Sequence, residues 1–258
     1  MRAGLNLYSL RDFIGTEENY LNTLKKLKEM GYSYLQFSGA PLNEEMIIKG
    51  YETYGLPTVL THMPYDRIVG DTEALMDAHA KFGCYNIGLG ALPHHLLGDA
   101  GKVKEALAAL EEAAMRMKAR GFAFYYHHHH FEFASFEDTT LFDYMVEHCP
   151  HFHFILDTYW LQYGGVSVVD TIKRLKGRIG CIHLKDYGVL PVAKENGGLD
   201  FVPTFVPVGT GNIDFPAVVS AAKESGTEFF LVEQDNASTN PDPFGDVEKS
   251  IRYIKEEL

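Results

Sequence analysis

Residues 216–233 read PAVVSAAKESGTEFFLVE, and two different periods meet inside them. Pro216 stands where the first turn of a helix tolerates proline, Val218, Val219 and Ala222 give the following helix its apolar side, and Gly226 stops it. Phe229-Phe230-Leu231-Val232 is then apolar at every position, so both faces of this short strand must be covered. Such a run suits a parallel sheet buried on both sides. An acid, Glu233, follows at once.

Working outward, the same unit recurs along the chain. Candidate strands are Ala3–Tyr8, Tyr34–Phe37, Pro57–Thr61, Asn86–Leu89, Ala123–His127, Phe152–Asp157, Gly180–His183 and Glu228–Glu233. Between them Thr16 caps a helix with a stripe of Tyr20, Leu24, Leu27 and Met30 that ends at Gly31. Further helices run from Val103 to Gly121, through Leu141, Met145 and Val146 to Pro150, from Val168 to Gly177, and through Val247, Ile251 and Ile254. Strand–helix units without an antiparallel hairpin signal point to a closed barrel or an open doubly wound sheet. The turn after the first strand, Tyr8-Ser9-Leu10-Arg11-Asp12, lacks the glycine fingerprint such a sheet uses for phosphate, so the expectation is a (β/α)8 TIM barrel. No compositional break marks a linker, and 258 residues suit a single domain over 1–258. The longest irregular piece, Tyr187 to Ile213, is expected to be a lid or an oligomer contact.

The formal charge is −12 with no Lys/Arg-rich run. Nucleic-acid binding needs cationic side chains to neutralise phosphates, so it is disfavoured. Cys84, Cys149 and Cys181 are scattered without CxxC spacing, which argues against a disulfide framework or a thiolate zinc site. No stretch approaches a membrane span, and the N-terminal residues lack an apolar leader core, so a cytoplasmic location is expected. Self-association through exposed barrel loops is expected too.

Chemistry in a barrel of this kind gathers at the C-terminal strand ends. There the sequence places His62, the run His127–His130 with Glu132, Asp157, His183 with Lys185 and Asp186, and Glu233. A carboxylate at the end of an apolar strand is costly to bury uncompensated, and one divalent cation would compensate Glu132, Asp157 and Glu233 together, with His183 as nitrogen ligand. That donor set suits Mn²⁺, Mg²⁺, Co²⁺ or Zn²⁺ alike. Each residue also has a plainer reading: Asp157 as a helix cap, His183 as a core histidine, Tyr159-Trp160 as packing, although sugars favour aromatic platforms such as Trp160.

Several stretches together resemble the sugar phosphate isomerase/epimerase family, also called xylose-isomerase-like or AP-endonuclease-2-like barrels. Tyr126-His127-His128-His129-His130-Phe131-Glu132-Phe133 looks like the family's Y-H-N-H-x-x-E-F. Leu156-Asp157-Thr158-Tyr159-Trp160-Leu161-Gln162 looks like L-D-T-Y-W-x-Q, and His183-Leu184-Lys185-Asp186 matches H-L-K-D. Val208-Gly209-Thr210-Gly211-Asn212-Ile213-Asp214 resembles V-G-x-G-x-I/L-D, Val232-Glu233-Gln234-Asp235 resembles V-E-Q-D, and Leu5 to Asp12 resembles Q-L-Y-T-L-R-D. The resemblance implies that Glu132, Asp157, His183 and Glu233 hold a metal, and that His62, His127, His129 and Lys185 line the substrate pocket. Two positions depart from the pattern: His128 replaces the usual Asn, and Trp160 stands where the DNA-repair branch keeps a histidine.

The expected activity is isomerisation or epimerisation of a small sugar, keto-sugar or polyol derivative through an enediolate, with Glu132 and Glu233 as proton carriers. A lyase that expels a β-hydroxyl or glycosyl oxygen from the same enolate is the alternative. A non-catalytic sugar-binding barrel is the third reading.

Overall fold

The computed structural model describes residues 1–258. Its strands are β1 (Gly4–Asn6), β2 (Leu35–Phe37), β3 (Thr58–His62), β4 (Asn86–Leu89), β5 (Ala123–His127), β6 (Phe152–Asp157), β7 (Ile179–Leu184) and β8 (Phe229–Val232). They pair in chain order, all parallel, and close into a barrel where β8 meets β1 through Gly4↔Leu231 and Leu5↔Val232. This is a (β/α)8 TIM barrel.

The all-apolar strands are explained by where each face goes. Side chains alternate along a strand with period two. Tyr34, Leu60, Tyr125, Ile155, Cys181 and Leu231 form a small cluster of their own inside the barrel. Their strand neighbours, such as Phe124, Tyr126, Phe154, Ile182, Phe230 and Val232, belong to the large outer core that the helices cover. Space inside is tight: a Cβ on Gly88 would come within 2.6 Å of the Thr61 carbonyl oxygen.

Alternation also places the functional groups. Two residues beyond each inward core position stands the next inward position, now at the C-terminal mouth. Tyr34 leads to Gln36, Leu60 to His62, Tyr125 to His127, Ile155 to Asp157, Cys181 to His183 and Leu231 to Glu233. The strands thus carry an apolar plug below and a polar ring above it.

The helices begin and end as their caps dictate. Thr16 accepts a hydrogen bond from the Asn19 amide and starts Glu17–Met30, which Gly31 ends at φ 91°. Helices Glu44–Tyr54 and Thr72–Lys81, which the apolar spacing did not single out, follow β2 and β3 and pack against each other in the outer ring. No helix is long and apolar enough to cross a membrane.

Two expectations need correction. The first strand stops at Asn6, not Tyr8, because the Asn6 side chain accepts from the Tyr8 amide and turns Leu7–Phe13 into 3-10 helix. The stretch from Tyr187 is not irregular: Asp186–Ala193 and Leu199–Val206 pair antiparallel as a hairpin arm outside the barrel. A second, tiny hairpin joins Ser135–Phe136 to Thr139–Thr140.

Candidate functional site

Four strand ends bring His127, Asp157, His183 and Glu233 together, with donor atoms all within 4.8 Å of one another and all four residues buried. His183 Nδ1 lies 2.8 Å from Glu233 Oε2 and 3.9 Å from Asp157 Oδ2. His127 Nε2 lies 3.4 Å from Asp157 Oδ2 and 3.9 Å from Glu233 Oε2.

Which ring nitrogens are free follows from their other partners. His127 Nδ1 donates to the Gly90 carbonyl oxygen at 2.9 Å, which turns Nε2 toward Asp157 and Glu233; against the cost of burial, those two carboxylates raise this imidazole above its ordinary range. His183 Nε2 is 2.7 Å from Gln36 Oε1 and donates to it, which turns the fully buried Nδ1 to Glu233 Oε2 at 2.8 Å. Metal-binding imidazoles are commonly fixed this way, with the second nitrogen donating to a carbonyl. Asp157 is braced through its other oxygen, which caps the following helix at the Trp160 amide, 3.0 Å away. Glu233 is braced by Asn6 Nδ2 at 2.6 Å, across the seam where the barrel closes.

Lys185 runs into the same cluster, 3.1 Å from Asp157, 3.0 Å from Glu233 and 2.8 Å from Asp235. Burial opposes its charge, but Asp157, Glu233 and Asp235 outweigh burial and hold the ammonium well above its usual range. Burial likewise opposes the charge on Glu233, yet Lys185 and His183 keep that carboxyl well below the usual carboxylate range. Burial, then the neighbouring His127 and His183, push His62 well below an ordinary histidine, and burial does the same to His129; both rings are neutral. Burial raises the Asp235 carboxyl despite Lys185 beside it. Two imidazoles and two carboxylates whose donor atoms converge within 4.8 Å in a buried pocket fit a divalent cation. His127, Asp157, His183 and Glu233 are the residues that could hold it.

The sequence reading put Glu132 in this set and His127 in the substrate pocket. The structure places Glu132 outside the four-residue group. Lying five residues past the β5 end, it turns back under the mouth, fully buried, accepting from Tyr126 Oη at 2.8 Å and the His129 amide at 2.7 Å. Burial pushes its carboxyl up to about 7. His127, at the inward strand position, stands with the other three donors instead. His62, His127, His129, Lys185 and Glu233 share the walls of one cavity of about 210 Å³ with Tyr8 and Asp235. Trp160 stands behind Lys185, its ring centroid 5.4 Å from the ammonium, and Phe205 from the arm's base flanks it at 5.3 Å. His128 points away, accepting from the Asp157 amide at 3.1 Å and donating to the His129 carbonyl at 3.0 Å.

Sequence reasoning missed Asn6, Gln36 and Asp235. The period-two step from Tyr34 to Gln36 is the signal that locates Gln36. Lys185's neighbour Asp186 is not in the cavity. Its carboxylate accepts from the amides of Tyr187, Gly209, Gly211 and Ile213, so the H-L-K-D and V-G-x-G motifs are two halves of one anchor.

The model of the xylose isomerase-like TIM barrel family matches residues 24–257. The chain belongs to that family. An inosose dehydratase of Clostridium botulinum is 33% identical over 113 residues, 40% of this xylose isomerase-like chain and 37% of that enzyme. The matched part is thus well under half of the curated relative. A sugar phosphate isomerase/epimerase from Parabacteroides distasonis superposes with a TM-score of 0.81 at 20% identity, over 99% of this chain and 94% of that one. A xylose isomerase-like barrel protein from Mycobacterium smegmatis in complex with magnesium gives 0.70 at 14% identity, over 98% and 95%.

Proposed function

We propose that this xylose isomerase-like barrel is a divalent-metal-dependent isomerase or epimerase of a small sugar, keto-sugar or polyol. The supporting observation is the pair of imidazoles, each held by a carbonyl oxygen at one nitrogen, whose other nitrogens, His127 Nε2 and His183 Nδ1, converge with Asp157 and Glu233 in a buried pocket. When bound there, a divalent ion would act as a Lewis acid toward a carbonyl and its neighbouring hydroxyl, making the adjacent C–H acidic.

The chain's own groups then divide the proton work. Glu233, kept ionised and held by Asn6, accepts the proton from the carbon. Lys185, locked between three carboxylates, donates to the oxygen where charge develops. The unpartnered nitrogens of His62 and His129 turn to sugar hydroxyls. Trp160 and Phe205 shield the ammonium from water. Glu132, hydrogen-bonded beneath the floor, supports the His129 backbone and carries no proton in this scheme.

A lyase remains the second reading, favoured by the similarity to an inosose dehydratase. Both readings require proton abstraction next to a carbonyl. Mn²⁺-loaded protein incubated in D₂O with L-ribulose, D-tagatose and scyllo-inosose is expected to exchange the α-proton of at least one. Retention of the carbon skeleton's mass apart from deuterium marks the isomerase, and loss of one water marks the lyase. No exchange on any of the three, with metal bound, refutes both.

A further inference from the structure

The metal-site cavity does not end at the sugar-sized pocket. It opens through Tyr8, His62, Gly90 and Ala91 into a second cavity of about 710 Å³, which those same four residues also line. The outer chamber differs in chemistry. Leu42, Met63, Pro64, Leu89 and Pro93 dominate its wall, with Tyr8 and Tyr65 supplying aromatic faces, and no carboxylate is present. Arg67 is its one ionic side chain, half exposed and paired with Asp71 at 3.5 Å. An anion site needs several convergent donors or a free guanidinium fork, and this wall offers neither. Apolar lining with few polar groups is what a neutral organic group selects.

We propose that the outer chamber is a second subsite, and that the substrate is a sugar or polyol bearing an uncharged aromatic or aliphatic substituent, not a phosphate ester. The proposal rests on the sugar reading above. The ring to be transformed sits among His62, His127, His129 and Glu233, while its substituent passes Gly90 and Ala91 and packs against Leu42, Met63 and Tyr65. A Cβ on Gly90 would stand 3.3 Å from His62 Nδ1, so glycine leaves room between these two shared wall residues.

Calorimetric titration of Mn²⁺-loaded protein with three probes tests it: methyl β-D-glucopyranoside, p-nitrophenyl β-D-glucopyranoside and D-glucose 6-phosphate. The nitrophenyl glucoside is expected to bind at least tenfold tighter than the methyl glucoside, and glucose 6-phosphate no tighter than the methyl glucoside. Leu42→Trp, which fills the outer chamber, is expected to shrink the aryl advantage below threefold while Mn²⁺ affinity stays the same. Equal binding of the two glucosides, tightest binding of the phosphate, or an aryl advantage that survives Leu42→Trp overturns the subsite alone. Failure of all three probes to bind, with Mn²⁺ held, overturns the sugar reading along with it.

The hairpin arm carries a second inference independently. The register puts Val189, Pro191, Ala193, Leu199, Phe201 and Pro203 on one face, and Leu190, Val192 and Val202 with Asp200 on the other. Both faces are open, with Phe201 66% and Leu199 58% exposed. A lone two-stranded ribbon is marginal in water, and a monomer seldom shows so large an apolar patch. The geometry points to a second copy of this chain as its cover. Its large side chains expose roughly 500 Å² by ordinary side-chain areas. Two arms placed reciprocally about a two-fold axis, each burying a like area of the partner, reach the roughly 1,600 Å² of a standard interface, which one arm alone does not. The −12 charge, with the tip's Lys194 already paired with Asp200 at 3.4 Å and Glu195 beside it, disfavours nucleic acid and anionic membranes as the occupant. Light scattering is expected to give a dimer, and the Leu199→Glu/Phe201→Asp double variant a monomer with unchanged Mn²⁺ affinity. A monomeric parent, or a variant that stays dimeric, overturns it.

Discussion

Gln36 never enters the group of four donors, yet it decides which nitrogen of His183 can join it. Replacing it with Leu removes the acceptor that holds the Nε2 proton. Outer partners of this kind typically contribute 10- to 100-fold in metal affinity. Gln36→Leu is expected to weaken Mn²⁺ binding by about that factor with the circular dichroism spectrum retained; an unchanged isotherm would show the tautomer to be set elsewhere. Glu132 makes the opposite test. Gln at 132 can still accept from the His129 amide through its carbonyl oxygen while its NH2 donates to Tyr126 Oη, so Glu132→Gln should leave Mn²⁺ affinity within about threefold. Asp157→Asn, by contrast, should lower it at least about 100-fold, the upper end of what such changes produce. Comparable losses would return Glu132 to the ligand set. Asp157, His183 and Glu233 were legible because each directly ends an apolar run. Glu132 lies outside the four because a motif gives spacing, not direction: past the β5 end the chain turns through Phe131–Phe133 as 3-10 helix, and the carboxylate accepts from Tyr126 and the His129 amide. His127 was visible as an inward position but was hidden in a run of four imidazoles.

At the level of elements, Asp186 ties the arm to the barrel. One carboxylate receives the amides of Tyr187, Gly209, Gly211 and Ile213, and thereby fixes the loop that leads into helix Phe215–Glu224. Hydrogen bonds to a charged acceptor contribute about 1.5–3 kcal/mol each before their loss is shared by water. Asp186→Ala is expected to destabilise the protein by about 3 kcal/mol and to speed amide exchange at Gly209 and Gly211 ahead of the barrel strands. Uniform exchange across the molecule would deny the loop its separate anchor. The barrel strands were read to within a residue or two because burial on both faces gives an unbroken apolar run. The arm defeated the same reading. Pro191 and Pro203 speak against a strand, and side chains apolar on both faces show no alternation to betray one. Its strands face solvent, so nothing in the chain's own core explains their composition.

Across the whole molecule, helices and barrel are joined by polar contacts as well as apolar ones. His79, on helix Thr72–Lys81, meets Thr61 Oγ1 at 2.8 Å and the Leu75 carbonyl oxygen at 2.8 Å, fully buried. Burial lowers this imidazole from 6.5 to about 4. Only the unfolded chain takes up its proton between those values. The contribution is therefore complete above pH 6.5 and is lost as pH falls toward 4, amounting to about 3 kcal/mol. Urea midpoints should drop between pH 7.5 and pH 4.5, and the drop should be shallower in His79→Gln; parallel slopes would show that other groups govern acid sensitivity.

The Asn6–Glu233 bond has a bearing on the order in which the protein becomes competent. Its partners lie 227 positions apart and meet only when β8 docks against β1. A chain emerging from the ribosome could already wind β1 to β7 and bring three donors near each other. The fourth would arrive with the last strand to be synthesised. Tight cation capture would then report that translation has passed residue 233 and the cylinder has shut. Nascent chains halted before that point should lose the ion readily to a chelator.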